Sequence, residues 1–575
     1  MRVIALIAPA LIIAACGGGT PPASPAPIGA PPAPLVADNP TAAEASRFLM
    51  QSTFGPTEQS ISELVSLGYS AWMRRQLNAN FESNVDEVRA IQADFASRGD
   101  NIGADALAEI VWHDMIAGND QLRQRMAFAL SQILVVSYEN SDVAETPAAV
   151  AFYMDVLSRN AFGNYRTLLE DVTYSPTMAQ FLTYLNNRKE DPSINRVPDE
   201  NYARELMQLF TIGLVQLNDD GTPRLDSQGE QIETYTNDDI TGLAKVFTGL
   251  SWDDGNFGGF HPRESAPTAA YSPLVIFPEH HSSSEKTFLG VTVPANTDAA
   301  TSIDTALDTL FNHPNIAPFI SKQLIQRFVT SNPSPQYVSN VTAAFETGWF
   351  QLPDGSTVGS STRGDLAAVI AAVLLDPEAR DLARRNDPDF GKVREPVIRF
   401  THWARNASLN SIDVLGASGL NRNRNLIEAN SSARLSQQAY RSPSVFNFYR
   451  PGYVAAGSLT ANSNLVAPEM QITTTASVTG FANFIQSRVE ESGSNDSFRP
   501  GYDAEMTLAN DPNALVDRLS LNMTAGAMTA ETRASIIAAV SEIPIRPDNA
   551  SQDRRRRVNA AMLMTVLSPE FYVQR

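Results

Sequence analysis

Asn201, Arg204, Glu205 and Gln208 recur at i, i+3, i+4 and i+7 within residues 201–213, so a helix there carries all four on one side. A face bathed in water usually holds several Lys and Glu; this one holds one cation, one anion and two amides, flanked by Ala203 and Met207. That composition suits a hydrogen-bonded interior network. If burial raises its pKa, Glu205 can act as a general base, and Arg204 can hold a carboxylate or phosphate through two parallel hydrogen bonds. His281 or Lys286 would then supply the complementary acid or positive charge. The competing expectation is a structural network between packed helices, because structural ion-pair networks perturb ionisable groups as catalytic sites do.

Further polar groups extend this set. Arg125 and Gln132 lie seven apart on an otherwise apolar helix expected over 121–136, capped by Asp120. Asn447, Tyr449 and Arg450 sit in the Pro-bounded, aromatic-rich run 443–453, expected as a rigid packed loop. Asn201, Gln208, Arg125, Tyr449 and Arg450 are therefore the candidate binding residues, beside Glu205, Arg204, His281 and Lys286 as candidates for chemistry.

Reaction motifs are missing. The sequence has no Walker phosphate loop, nucleotide-binding Gly fingerprint, Gly-x-Ser-x-Gly elbow or His-Glu-x-x-His helix. Ser283-Ser284-Glu285-Lys286 matches a bare Ser-x-x-Lys without companion motifs. Glu279, His280, His281 and Glu285 offer ligand atoms, but adjacent histidines cannot share a helix face, so no metal is expected there. The sequence specifies no cofactor.

The elements that must position these groups are mostly helical. Apolar residues recur at helical spacing over 42–51, 57–76, 121–136, 153–157 and 166–185, with a break at Pro176, and again from a capping box at Thr236 and Asp239. Further helices are expected over 315–329, 365–375, 393–406, 433–439, 512–521, 531–540 and 555–567. Residues 214–235 read as one or two small hairpins, and residues 251–285 as a long loop over a site. The expected fold is mainly α: a large multi-helical single unit over 41–575 with one or two small β-hairpins and long loops.

Residues 1–15 read as a signal peptide, with Arg2 ahead of an apolar run too short to span a bilayer. Ile13-Ala14-Ala15-Cys16 resembles the lipobox of bacterial lipoproteins, whose Cys is acylated by chains such as palmitate. Each buried CH₂ contributes about 0.8 kcal/mol to such an anchor. Residues 16–40 are the lipidated Cys and a Gly/Pro-rich tether, and Gly17 after the Cys implies, by the same resemblance, the outer membrane. The net charge of −20 argues against nucleic acid as a partner.

Residues 120–125, 201–213, 235–252, 286–290, 313–335, 391–396, 442–453, 465–469 and 568–571 together resemble an uncharacterised bacterial envelope family called domain of unknown function 1800. The resemblance implies export, one family unit from about residue 46 to the end, and an exported sulfatase-like or phosphatase-like partner; it carries no catalytic residues. Two functions follow as expectations. One is an envelope hydrolase or lyase acting on a polar or acidic polymer or conjugate. The other is a non-enzymatic helical scaffold or accessory factor for the exported partner.

Overall fold

The computed structural model describes residues 36–99, 103–407, 424–490 and 500–575. The expected signal peptide, Cys16 and most of the tether lie outside the described residues.

Side-chain caps start the first helices. In α1 (Ala42–Ser52) Thr41 and Glu44 satisfy each other's backbone N–H, and Thr57 and Ser60 do the same for α2 (Glu58–Leu77). Gly55 turns the chain between them at φ 127°, where a Cβ would fall 2.5 Å from His402 Cδ2. Helix α3 (Gln121–Ser131) stops five residues before the expected end. The N–H groups of Ile133 and Leu134 both turn back to the Leu130 carbonyl, and the Gln132 carbonyl is taken by Arg327. Asp120 does not cap this helix; its carboxylate accepts from the Gln124 side chain instead.

Helix α4 (Asn201–Glu205) widens at Leu206–Thr211 into a π-helix, in which the Ile212 N–H reaches the Met207 carbonyl at 3.0 Å. Such turns are rare and frequently sit at functional sites. Gly213 ends the helix at φ 69°, and a Cβ on it would fall 2.7 Å from the Phe319 ring. The expected hairpin follows as an arm bridged at Val215–Glu233, Leu217–Pro223 and Leu225–Gln231. The Thr236–Asp239 box then opens α5 (Asn237–Ala244). Strands β1 (Lys286–Phe288) and β2 (Val291–Val293) form a small hairpin against it.

Helices α6 (Ile316–Phe328), α7 (Pro335–Thr347) and α8 (Leu366–Leu375) pack on one another. Strand β3 (Lys392–Val393) pairs antiparallel with β4 (Val573–Gln574), so α9 (Pro396–Asn406) starts at its proline and not at 393. The helix expected over 433–439 is absent; turns run there, and Ser436 at φ 59° is incompatible with continued helix. Helices α10 (Pro512–Thr524) and α11 (Ala550–Val566) lead to the C-terminal strand β4. The basic run 554–557 staples the fold: Arg555 reaches the Pro500 carbonyl, and Arg557 those of Ile543 and Ala509.

The fold is mainly α with small two-stranded antiparallel pairs. One contiguous apolar cluster runs from Ala45 to Phe571, and Arg47 Nε reaches the carbonyl of Arg575 at 2.8 Å. No helix among the described residues is long and apolar enough to cross a membrane.

Candidate functional site

A cleft of about 590 Å³ opens where the π-turn, the hairpin arm, α6 and the 443–453 loop meet. Its walls include Gln208 and Leu209, Phe319, Lys322 and Gln326 of α6, and Phe446, Tyr449 and Arg450 of the loop. A second cavity of about 440 Å³, lined by Arg204, Tyr235 and Ile240, shares Gln208, Leu214 and Val215 with it. The two form a groove along the arm.

Local polar bonds fix these walls. Asn315 accepts from the Leu217 N–H and donates to the carbonyls of Ile212 and Val215, each at 2.7 Å, so the base of the arm cannot swing freely. Gln326 donates to the carbonyls of Ser331 and Pro451, tying α6 to the loop. Asn332 exchanges two hydrogen bonds of 2.9 Å with the backbone of Val466.

Beneath the cleft lies a buried cluster of ionisable side chains: Arg125, Arg327, Lys392, Glu395, Glu469 and Tyr449. The Arg327 carbonyl, in the last turn of α6, accepts from Arg125 Nη2 at 2.7 Å and Lys392 Nζ at 2.9 Å, placing cations at the negative end of the helix dipole. Lys392 also pairs with Glu469 at 2.9 Å, both nearly sealed from solvent. Glu395 precedes Pro396 in extended backbone at the positive end of α9, and its Oε2 accepts from Gln132 and Gln437 at 2.5 Å each. Burial pushes Glu469 up, and Lys392 opposes it. Burial also raises the Tyr449 phenol well above its ordinary value, with the carboxylates of Glu395 and Glu469 adding to the effect, so the hydroxyl stays neutral.

Many polar atoms in this region have no partner. Among the described residues, Arg125 Nε and Nη1, Arg327 Nε, Gln132 Oε1, Gln323 Nε2, Glu395 Oε1 and Glu469 Oε2 are sealed without a hydrogen bond, and the Tyr449 hydroxyl is sealed against the Glu395 carboxyl group. A buried orphan costs about 1–3 kcal/mol, so a concentration of them beside a cleft calls for a functional account.

Of the residues chosen from the sequence, Gln208, Tyr449 and Arg450 line the cleft, and Arg125 lies in the cluster beneath it. Arg204 lines the second cavity and pairs with Glu200 at 3.4 Å in a half-exposed setting, so the stripe is not a sealed network. The Asn201 side chain donates to the Thr183 hydroxyl at 3.4 Å, and its N–H donates to Asp199. Glu205 is buried, its Oε2 unpartnered, and burial raises its carboxyl against the charge of Arg204, yet it lines neither cavity.

His281 and Lys286 belong elsewhere. His281 Nδ1 lies 3.0 Å from the Thr248 carbonyl, and burial lowers its pKa. Lys286 is fully buried and donates to the Ser284 carbonyl at 3.3 Å, while Ser282 and Ser284 donate to Glu190. Glu205 feels the charge of Arg204, whereas His281 and Lys286 feel that of Glu190, and neither His281 nor Lys286 lines either cavity. Among the described residues, no group of three or more His, Cys, Asp or Glu side chains is arranged to hold a metal ion.

Sequence reasoning passed over Lys322, Arg327, Lys392, Glu395 and Glu469 as site residues. A signal was present: Lys392 and Glu395 flank a Val-Arg pair just before a proline, Glu469 follows one, and Lys322 and Arg327 interrupt an apolar helix. A family model described as "Protein of unknown function (DUF1800)" matches residues 47–573. No curated protein and no solved structure matches.

Proposed function

The chain belongs to the DUF1800 family, and on that premise we propose that it is an exported lipoprotein of the bacterial envelope whose groove acts on an extended polar polymer or conjugate by hydrolysis or elimination. The observation that carries this reading is the placement of an unsatisfied, buried ionisable cluster directly beneath a cleft open to solvent. Perturbed ionisable groups concentrate at functional sites, and a groove suits an extended ligand better than a compact one.

Arg327 and Tyr449 are the members of the cluster that line the cleft, so they connect it to the ligand. A neutral phenol is a hydrogen-bond donor; once the loop shifts to turn the sealed Tyr449 hydroxyl toward the ligand, it stabilises negative charge developing on the reacting oxygen. Glu395, itself held by Gln132, lies behind Tyr449 and holds the loop's phenol in place through their side-chain contact. Membrane attachment rests on the Ile13-Ala14-Ala15-Cys16 tetrad, and mass spectrometry of the mature N-terminus checks it.

Turnover of labelled envelope polymers by the wild-type chain tests the enzyme reading. Tyr449→Phe should lower turnover by about 10²–10³-fold, the cost of losing one such donor. It should cost no more than about 1–3 kcal/mol of stability, the loss of one contact with the Glu395 carboxyl group, so the fold should persist. Full activity in Tyr449→Phe would sink the assignment. An accessory role draws instead on Leu214 and Leu225 of the arm, which are 55% and 57% exposed and offer an apolar edge to an exported partner.

A further inference from the structure

Charge distribution narrows the ligand class. The chain carries a net charge of −20, so its surface as a whole repels acidic polymers. Yet among the described residues no Asp or Glu lines the main cleft, while Lys322, Arg327 and Arg450 do; the adjoining cavity carries one of each sign, Glu233 and Arg204. An acidic ligand meets attraction there and repulsion over most of the remaining surface.

We propose that Lys322, Arg327 and Arg450 form an anion subsite, so that the polymer taken by the groove bears carboxylate or sulfate groups; this rests on the groove being the ligand site. Arg327 is 4% exposed, and its guanidinium spends Nη1 and Nη2 on the carbonyls of Gln323 and Gln132 while Nε has no partner. Three cations of the buried cluster, Arg125, Arg327 and Lys392, face two carboxylates, Glu395 and Glu469, which leaves positive charge uncompensated below the cleft. Burying an uncompensated charge is costly, and an incoming anion offsets that cost.

The two outer cations are placed to complete the subsite. Lys322 is half-buried, and its amine contacts the Gly221 carbonyl at 3.4 Å without an ion-pair partner among those described. Asp220 is near enough for its charge to act on Lys322, but its carboxylate accepts from the Thr222 N–H and hydroxyl. Arg450 is exposed over the Phe446 ring, 4.7 Å from its centroid, and so held at the mouth. Gln208, Gln323 and Gln326 add amides, while Phe319 and Phe446 add flat apolar faces. Cations, amides and ring faces in one groove match an acidic carbohydrate chain, whose sugars present charged groups, hydroxyls and apolar ring faces.

Titration calorimetry on the full chain in detergent tests this with three probes: an oligogalacturonate bearing carboxylates, a heparin-derived oligosaccharide bearing sulfates, and a neutral maltooligosaccharide. At least one anionic probe should bind, more weakly as salt rises, and the neutral probe should bind at least about 10-fold more weakly. Lys322→Gln combined with Arg450→Gln should weaken anionic binding by about 10–100-fold, and both positions reach solvent, so the fold should persist. Arg554→Gln combined with Arg556→Gln, on the separate basic run, should leave binding unchanged. Binding of one anionic probe alone identifies carboxylate or sulfate as the recognised group. Equal binding of the neutral probe, no binding of either anionic probe, or loss of binding only in the Arg554/Arg556 variant would each overturn the subsite. Anion binding without turnover would leave the subsite standing and remove the enzyme reading; turnover of a neutral polymer without anion binding would do the reverse.

Discussion

Arg394 and Glu395 are chain neighbours, yet they belong to two buried charge clusters of opposite character. Glu395 sits under the cleft with a second carboxylate, a phenol and three cations, and its Oε1 has no partner. Arg394 turns the other way, donating to the Phe571 carbonyl at 3.2 Å and to His402 Nδ1 at 2.7 Å, with its guanidinium over the Phe571 ring. Arg399 donates to the Arg394 carbonyl and lies about 4 Å from the ring centroids of Phe481 and Tyr572. The second cluster meets its cations with carbonyls and ring faces, though Arg394 Nε and Arg399 Nη1 stay unpartnered, and it binds α9 to the C-terminus. The first pairs its cations with carboxylates, and its unused polar atoms lie beside a cleft. Burial of charge alone therefore does not mark a site; unmatched groups beside a cavity do.

Removing one cation from each cluster should break this symmetry most visibly. Lys392→Met leaves Glu469 buried without its partner and should cost about 3–5 kcal/mol in denaturant unfolding. Replacing Glu469 by Leu in the same chain should recover most of that loss. Arg399→Met strands no carboxylate and should cost only about 1–3 kcal/mol, from one hydrogen bond and the ring contacts. Equal losses for Lys392→Met and Arg399→Met would erase the distinction.

A smaller effect concerns pH. His402 is fully buried, burial holds its pKa well below the ordinary value, and the Arg394 charge adds to this. Its Nδ1 accepts from Arg394 and its Nε2–H donates to the Asn522 carbonyl, so the neutral ring is the folded form. Below pH about 6.5 the unfolded chain takes up the proton that the folded one refuses, so stability present at neutral pH is lost as pH falls, by about 1.4 kcal/mol per unit. Unfolding midpoints between pH 7 and 5 in wild type and His402→Gln check this. An identical slope in both would show that other groups control acid sensitivity.

Much of the scaffold was legible because its causes are local. The apolar spacing, the Thr236 capping box, the break at Pro176 and the stop at Gly213 all appear where the sequence places them. Misreadings arose where a distant group competed with a local rule. Helix α3 ends early with Arg327 on the Gln132 carbonyl, 195 residues away, and α9 starts late because β3 pairs with the C-terminal strand.

By itself the sequence determined a mainly helical chain and its family, and it marked, separately, a polar stripe at 201–208 and a Pro-bounded loop at 443–453. Only the tertiary structure decided which polar groups matter together. It left Glu205, His281 and Lys286 out of the groove's walls and brought Gln132 to Glu395 across 263 residues. Helical periodicity reports which face of an element is buried, because that is fixed by neighbours three and four residues away. Which charges meet beneath a cleft depends on how helices pack over the whole chain, and no local spacing carries that information.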